Sequence, residues 1–152
     1  MSPVFARSVF AFATKPRRLV LLSLLVVPWT VLATSGGTTL VFPWGLANPI
    51  TLHVTTLPEY LYARTAGLPG QLLAWPLSVV FYLLALMSAF AGRFEDRRVT
   101  AGLLVLAGVT HLNFTLRFVG YDGLVVPLGS IALFAVVWWF HRPDVRDSLN
   151  RE

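Results

Sequence analysis

The sequence contains no cysteine. This absence excludes disulfide bonds, thiolate metal sites and a cysteine nucleophile. Charged residues are also scarce, because Asp, Glu, Lys and Arg make up only 12% of the 152 residues, about half of the share that is usual in soluble domains. Hydrophobic residues make up 56%, and the mean hydropathy is +0.70. This composition is typical of a membrane protein.

Most of the chain lies in four long stretches without any charged side chain. They run from Arg18 to Glu59, from Arg64 to Arg93, from Arg98 to Arg117 and from Asp122 to Arg142. The hydrocarbon core of a bilayer is about 30 Å thick, and a helix of about 20 apolar residues crosses it. The pattern therefore predicts an all-α membrane protein, a four-transmembrane-helix bundle that forms a single domain over residues 1–152. The predicted spans are about 19–34, 71–91, 99–118 and 123–140.

The positions of the basic residues predict the orientation of these spans. Ten of the twelve fall in three places, namely the N-terminal segment, the connection between the second and third spans, and the C-terminal tail. Because basic residues accumulate on the cytoplasmic side, we expect a multi-pass protein of the cell membrane with both termini in the cytoplasm. The pI of about 10.5 does not indicate nucleic acid, since the basic residues stand at span ends. Four tryptophans are the predicted interface anchors: Trp44, Trp75, Trp138 and Trp139.

The outer segment (residues 35–70) is the only connection long enough to fold outside the bilayer. Residues 38–42 and 50–54 are rich in β-branched and apolar residues, and turn-forming residues separate them, which predicts a β-hairpin. Thr56 and Glu59 then match a capping box, which predicts a short interfacial helix. This segment either covers the helices or forms a docking surface or lid, and the sequence leaves both interpretations open.

The third predicted span carries an unusual number of polar residues. The candidate polar site consists of Thr110, His111, Asn113, Thr115 and Arg117, and the candidate counter-charges are Glu59 and Asp122. Polar side chains at membrane depth face protein or water and are often functional. Three interpretations stay open: hydrogen bonds between helices, a binding or proton-handling site, and catalysis. The three histidines lack the spacing of a metal site, so neither a metal nor a cofactor is predicted, and no catalytic residue is assigned.

Several short motifs carry a resemblance to a known family. They are residues 40–46 (LVFPWGL), 56–61 (TLPEYL), 67–70 (GLPG), 74–76 (AWP), 95–98 (EDRR), 100–104 (TAGLL) and 138–140 (WWF). With these motifs the chain resembles an uncharacterised family of small haloarchaeal membrane proteins. That family is associated by gene neighbourhood with archaeosortase A, a membrane transpeptidase that processes surface-layer glycoproteins. The resemblance implies a role beside such an enzyme, and the lack of cysteine excludes the chain from being the enzyme itself.

These observations lead to three functional hypotheses. The first is a non-catalytic integral membrane accessory or partner protein, linked to the processing or anchoring of surface proteins. The alternatives are a small transporter or channel subunit that uses the polar residues of the third span, and a membrane enzyme that acts on an amphipathic substrate. The expected partners are the lipid bilayer and either another membrane protein or a second copy of the chain, with no nucleic acid.

Overall fold

A computed structural model describes residues 16–64, 73–120 and 123–149 of the chain. The helices are α1 (Pro16–Ser23), α2 (Leu57–Arg64), α3 (Ala74–Ala89), α4 (Arg97–Leu116) and α5 (Leu128–Leu149). The strands are β1 (Thr30–Thr34), β2 (Gly37–Phe42), β3 (Gly45–Asn48), β4 (His53–Thr56) and β5 (Gly123–Val126). A short 3-10 helix, Gly92–Phe94, lies between α3 and α4.

The five strands form one antiparallel sheet in the order β4-β3-β2-β1-β5. Strand β1 lies between β2 and β5, so that Val31 is paired with Leu40 on one side and with Val126 on the other. Strand β5 is remote from the others in sequence, and it directly precedes α5. The sheet is therefore tied to the helices from both ends of the chain.

The prediction of an all-α four-helix bundle is wrong, because the chain is an α/β protein with a five-stranded sheet. Two of the predicted spans are only partly helical. In the first, helix α1 ends at Ser23 and the chain continues as strand β1 from Thr30. In the fourth, residues 123–126 form strand β5 before α5 begins at Leu128. The second and third predicted spans overlap helices α3 and α4.

The first predicted span changes from helix to strand for local reasons. Turn hydrogen bonds from Leu25 N to Leu22 O (3.1 Å) and from Val26 N to Ser23 O (3.1 Å) lead the chain out of α1. Pro28 follows, and a proline cannot continue a helix because it lacks an N–H and its ring clashes with the preceding turn. The next residues are rich in Thr and Val, which pack well on a pleated sheet. An uncharged apolar run is compatible with a helix and with a buried strand, which explains the wrong prediction.

The number of membrane spans also requires correction. Among the helices in the described ranges, only α4 is long and apolar enough to cross a membrane by length and composition. Helix α3 has 16 residues, and the apolar part of α5 is limited to Leu128–Trp139. The prediction of four membrane-spanning helices in a bundle is therefore wrong. The core of a soluble protein also offers one such helix, so this count alone does not locate the protein.

The predicted hairpin of the outer segment has a different pairing in the structure. Strand β2 pairs with β1 and β3, and β3 lies within the link that was expected between the two hairpin strands. Helix α2 begins at Leu57, immediately after β4. The Glu59 N–H donates to Thr56 Oγ1 (3.4 Å), as the capping motif predicts. Residues 65–70 of this segment lie outside the described residues.

The sheet and the helices join at Trp29, which is fully buried just before β1. The Gly129 N–H donates to Trp29 O (2.7 Å), so that the first turn of α5 rests on the tryptophan. A Cβ at position 129 would lie 2.5 Å from the Trp29 side chain, which makes glycine necessary for this approach. The Trp29 ring also lies edge-on to Tyr82 of α3, with 5.1 Å between the ring centroids. Since the Trp29 N–H also donates to Val41 O of β2 (2.6 Å), this residue joins the sheet to two helices.

An ion pair lies at the opposite end of the helices. Arg17 Nη1 of α1 lies 2.8 Å from Glu95 Oε1, in the connection between α3 and α4. The neighbouring Arg18 donates through Nε to Ala89 O (3.3 Å) at the end of α3. Burial lowers the pKa of the Arg17 guanidinium, and the Glu95 carboxylate opposes this shift. The start of α1 and the α3–α4 connection are therefore at the same end of the molecule.

Candidate functional site

The polar group with the least exposure in the third predicted span is His111 of α4, whose side chain is fully buried. Its Nε2 atom lies 2.7 Å from Thr30 Oγ1, at the first residue of β1. Its Nδ1 atom faces Ser78 Oγ of α3 at 3.5 Å. The imidazole of α4 therefore contacts both strand β1 and helix α3.

Thr30 and Thr115 complete this cluster, and their hydroxyl groups indicate the proton position on His111. The Thr115 hydroxyl donates to the carbonyl oxygen of His111 (3.0 Å), one helical turn earlier. It can then accept from the Thr30 hydroxyl, which lies 2.9 Å away. Because Thr30 donates there, its oxygen accepts from Nε2. In this arrangement the His111 proton lies on Nε2, and Nδ1 has only the long contact to Ser78 Oγ, because the Ser78 hydroxyl donates to Trp75 O (2.6 Å).

Aromatic rings enclose the cluster. The Trp29 ring stands edge-on to the His111 ring, with 5.1 Å between centroids, and the Phe114 ring lies at 5.7 Å. The Trp29 Nε1–H donates to Leu24 O (3.0 Å), and the Tyr82 hydroxyl donates to Leu21 O, so that both polar ring atoms are satisfied. Within the described part of the chain, no buried side-chain nitrogen or oxygen lacks a hydrogen-bond partner.

The other candidate residues lie away from this cluster. Thr110 is half-buried, and its hydroxyl donates to Leu106 O in its own helix (2.6 Å). Asn113 and Arg117 are exposed on α4, and Glu59 is exposed on α2. Across residues 16–64, 73–120 and 123–149, neither Arg117 nor Glu59 forms an ion pair. The proposed counter-charge Asp122 lies outside the described residues.

The structure thus brings together His111 and Thr115 of the predicted set, and it adds Thr30 and Ser78. The sequence carried no signal for these two, because single hydroxyl residues in an apolar run are common. Both lie far from His111 in the chain, and only the packing of β1 and α3 against α4 brings them within hydrogen-bond distance. Their contribution was therefore not predictable from local patterns.

The predicted tryptophan anchors lie in different environments. Trp75 is fully buried, and its Nε1–H donates to Phe42 O (3.3 Å). Trp44 is partly exposed, and it donates to Leu25 O (2.9 Å). Trp138 and Trp139 are exposed on α5.

Comparison with known proteins identifies the family. Residues 6–151 match a family described as "Domain of unknown function (DUF8050)". The chain belongs to this family. No curated protein and no solved structure matches the chain. The DUF8050 match includes both the sheet and the five helices, so the whole fold described above belongs to one family domain.

The chemistry available to this DUF8050 domain follows from the geometry of its buried cluster. In the described ranges, no group of three or more His, Asp or Glu side chains could hold a metal ion. The hydroxyl groups of Thr30, Thr115 and Ser78 each donate to an oxygen within the protein, and His111 has no exposed surface. The arrangement is suited to joining β1 to α4 through buried hydrogen bonds, with Ser78 of α3 in contact with the imidazole.

Proposed function

We propose that this protein is an integral membrane accessory protein in which α4 crosses the lipid bilayer and the shorter apolar helices α3 and α5 contact lipid beside it. The observation that carries the proposal is the apolar outer surface of α3, α4 and α5. The exposed large residues of α3 are Leu77, Val80, Leu83, Leu84 and Met87, those of α4 include Val99, Leu106, Val109 and Leu116, and those of α5 include Ile131, Trp138 and Trp139. Soluble monomers rarely expose contiguous apolar patches larger than a few hundred Å².

Most of the uncharged polar residues of the same helices point inward, whereas Asn113 of α4 is exposed. Ser78, Thr100, His111, Thr115 and Ser130 are all buried. Their hydrogen bonds connect neighbouring elements: Ser130 donates to Gly108 O (3.1 Å), and the hydroxyl groups of Ser88 and Thr100 are 2.8 Å apart. A distribution with apolar side chains outside and hydrogen-bonded polar side chains inside suits a lipid environment, where unsatisfied polar groups are costly.

The dimensions and exposure of α4 support the same location. Its 20 residues span about 30 Å, which equals the thickness of the hydrocarbon core. Only 39% of the most apolar 18-residue stretch of α4 is buried within the protein. The core helix of a soluble protein would be mostly buried. Arginines stand at both ends of α4, at Arg97 and Arg117, where they can reach the water interface.

The orientation is part of this proposal. The Arg17–Glu95 ion pair joins the basic start of α1 to the α3–α4 connection. That connection carries Arg93, and the first turn of α4 adds Arg97 and Arg98. We place this end in the cytoplasm because of its excess of basic residues. The start of α1 and the end of α5 follow on the same side, and the β1–β2 and β3–β4 turns are on the outer side.

The membrane location is tested by extraction. Membranes that contain the protein are washed with alkaline carbonate, and we expect the chain to remain in the pellet and to need detergent for solubilisation. Leu84→Lys places a charge on the apolar face of α3 and should reduce the membrane-bound fraction severalfold. Leu52→Lys at the exposed β3–β4 turn is the control and should have no effect. A chain that carbonate releases, and that stays monodisperse without detergent, would contradict the proposal.

The accessory role in the processing or anchoring of surface proteins rests on the resemblance given above and on the closed geometry of the His111 cluster. That closed geometry provides no supporting observation for a transporter or an enzyme. Deletion of the gene in the source organism should leave surface proteins unprocessed or released into the medium, and a His111→Gln copy should restore the wild-type pattern. Normal processing in the deletion strain would remove this part of the proposal.

A further inference from the structure

The face of α4 that is turned away from the other helices carries a regular repeat of exposed residues, which we name the α4 seam. Its members are Val99, Gly102, Leu106, Val109, Asn113 and Leu116, and all six are exposed. They are separated alternately by three and four residues, the spacing of a two-helix coiled-coil contact. The opposite face of α4 packs against α3 and α5. The seam is therefore a helix-pairing surface without a partner among the described elements.

Asn113 distinguishes the seam from the other apolar faces. The exposed positions of α3 are all apolar, and so are those of α5 between Leu128 and Trp139. The Asn113 side chain, in contrast, has no hydrogen bond to any residue that the structure describes. An amide without a partner on an otherwise apolar, lipid-facing surface is unfavourable. Its presence at one position indicates a hydrogen-bonding partner from another helix.

We propose that the partner is a second copy of this chain and that the two Asn113 amides hydrogen-bond to each other. An amide group is self-complementary, because it carries both a donor and an acceptor. Two copies inserted in the same orientation are related by a twofold axis along the membrane normal, so their α4 helices run parallel. Each seam residue then faces its own equivalent, and one asparagine in such a seam sets the register of the pair.

Gly102 allows the two helices to approach. A Cβ at position 102 would meet nothing within 4 Å in its own chain, so this glycine has no packing role inside the protomer. Small residues at helix contacts in membranes permit close backbone approach. The pairing rests on the membrane location proposed above, because only in lipid does the exposed amide lack water as a partner.

Disulfide crosslinking tests the pairing directly, since the sequence has no cysteine and each introduced cysteine is unique. We expect Leu106→Cys, Val109→Cys and Asn113→Cys to form covalent dimers in oxidised membranes. Leu84→Cys and Met87→Cys on the exposed face of α3 are the controls and should stay monomeric. Absence of dimers at the seam, equal crosslinking at both faces, or crosslinks only to another protein would overturn the inference.

Two substitutions test the same contact without cysteine. Asn113→Leu removes the amide, and Gly102→Leu separates the helices from a position where an added Cβ has no atom of its own chain within 4 Å. Each should weaken dimerisation in detergent micelles roughly tenfold, measured by energy transfer between labelled copies. Asn113→Gln should retain part of the affinity. Wild-type dimerisation of both leucine variants would overturn the inference.

The two proposals fail in different ways. A chain that carbonate releases from membranes contradicts the membrane location. A chain that resists carbonate but forms no seam dimer contradicts only the pairing. Asn113→Leu and Gly102→Leu should keep wild-type resistance to carbonate, since both positions are exposed on the surface of the protomer.

Discussion

His111 of α4 and Thr30 of β1 are 81 residues apart in the chain, and their side chains lie 2.7 Å apart in the buried interior. This hydrogen bond connects α4, the one described helix that is long and apolar enough to cross a membrane, to the first strand of the sheet. Thr30 also contacts Thr115 at 2.9 Å, so that a single hydroxyl group serves two residues of α4. The bond is the clearest physical link between the helical layer and the sheet.

The first prediction concerns the Thr30 hydroxyl group. Thr30→Val keeps the shape of the side chain but leaves the His111 Nε2–H and the Thr115 oxygen without their partner. We expect the free energy of unfolding to fall by about 1–2 kcal/mol, measured by chemical denaturation in detergent. Thr110→Val is the matched control, because that hydroxyl bonds only to its own helix. Equal stability of the two variants would contradict the assigned role of Thr30.

The second prediction separates a structural from a chemical role of His111. His111→Ala leaves a cavity beside Trp29 and Phe114, and the Thr30 oxygen loses its donor. The expected loss of stability is about 3 kcal/mol. His111→Gln retains an N–H donor and should lose clearly less, and it should also preserve function in cells. A glutamine variant that folds normally but has no function would instead favour a reactive histidine.

The third prediction concerns the contact between Gly129 and Trp29. A methyl group at position 129 would overlap the Trp29 side chain at 2.5 Å. Gly129→Ala should therefore destabilise the protein by about 1–3 kcal/mol, since the added methyl group and the Trp29 side chain both lie in the packed interior. Gly102→Ala on the same type of element faces open space within its own chain, and in detergent at a dilution that keeps the chain monomeric it should be neutral or slightly stabilising. The thermal unfolding midpoints of the two variants in detergent compare these effects, and a stable Gly129→Ala variant would show that α5 can shift away from the sheet.

The fourth prediction tests the orientation in the membrane. Thr51 is exposed at the β3–β4 turn, and Arg93 is exposed in the connection between α3 and α4. A membrane-impermeant thiol reagent should label Thr51→Cys in intact cells, whereas Arg93→Cys should react only after the membrane is permeabilised. Wild-type protein has no cysteine and provides the background. Labelling of both positions from the outside would show that the assigned orientation is wrong.

The sequence allowed some elements to be predicted because their signals are local. The Thr56 cap marks the start of α2, and the uncharged run that begins after Arg98 lies within α4. The predicted spans 71–91 and 99–118 overlap α3 and α4 closely. In each of these cases the helix can be inferred from neighbouring residues alone, without knowledge of what packs against it.

The sheet could not be predicted in the same way. Strand β1 lies in a run that reads as an apolar helix, and strand β5 lies in another such run. Each becomes a strand because it pairs with a segment elsewhere in the chain, with Val31 between Leu40 and Val126. Hydrophobic composition does not distinguish these outcomes, since both a buried strand and an apolar helix satisfy it.

By itself, the sequence determined the apolar composition, the positions of the charges and the absence of cysteine. The composition and the charge positions were sufficient to predict the helices α3 and α4. Only the tertiary structure decided that Thr30 and Ser78 meet His111, that Trp75 is interior, and that the α4 seam is exposed. The reason is physical: charge and hydropathy act residue by residue. Hydrogen bonds and burial instead depend on pairs of groups that the chain brings together from distant positions.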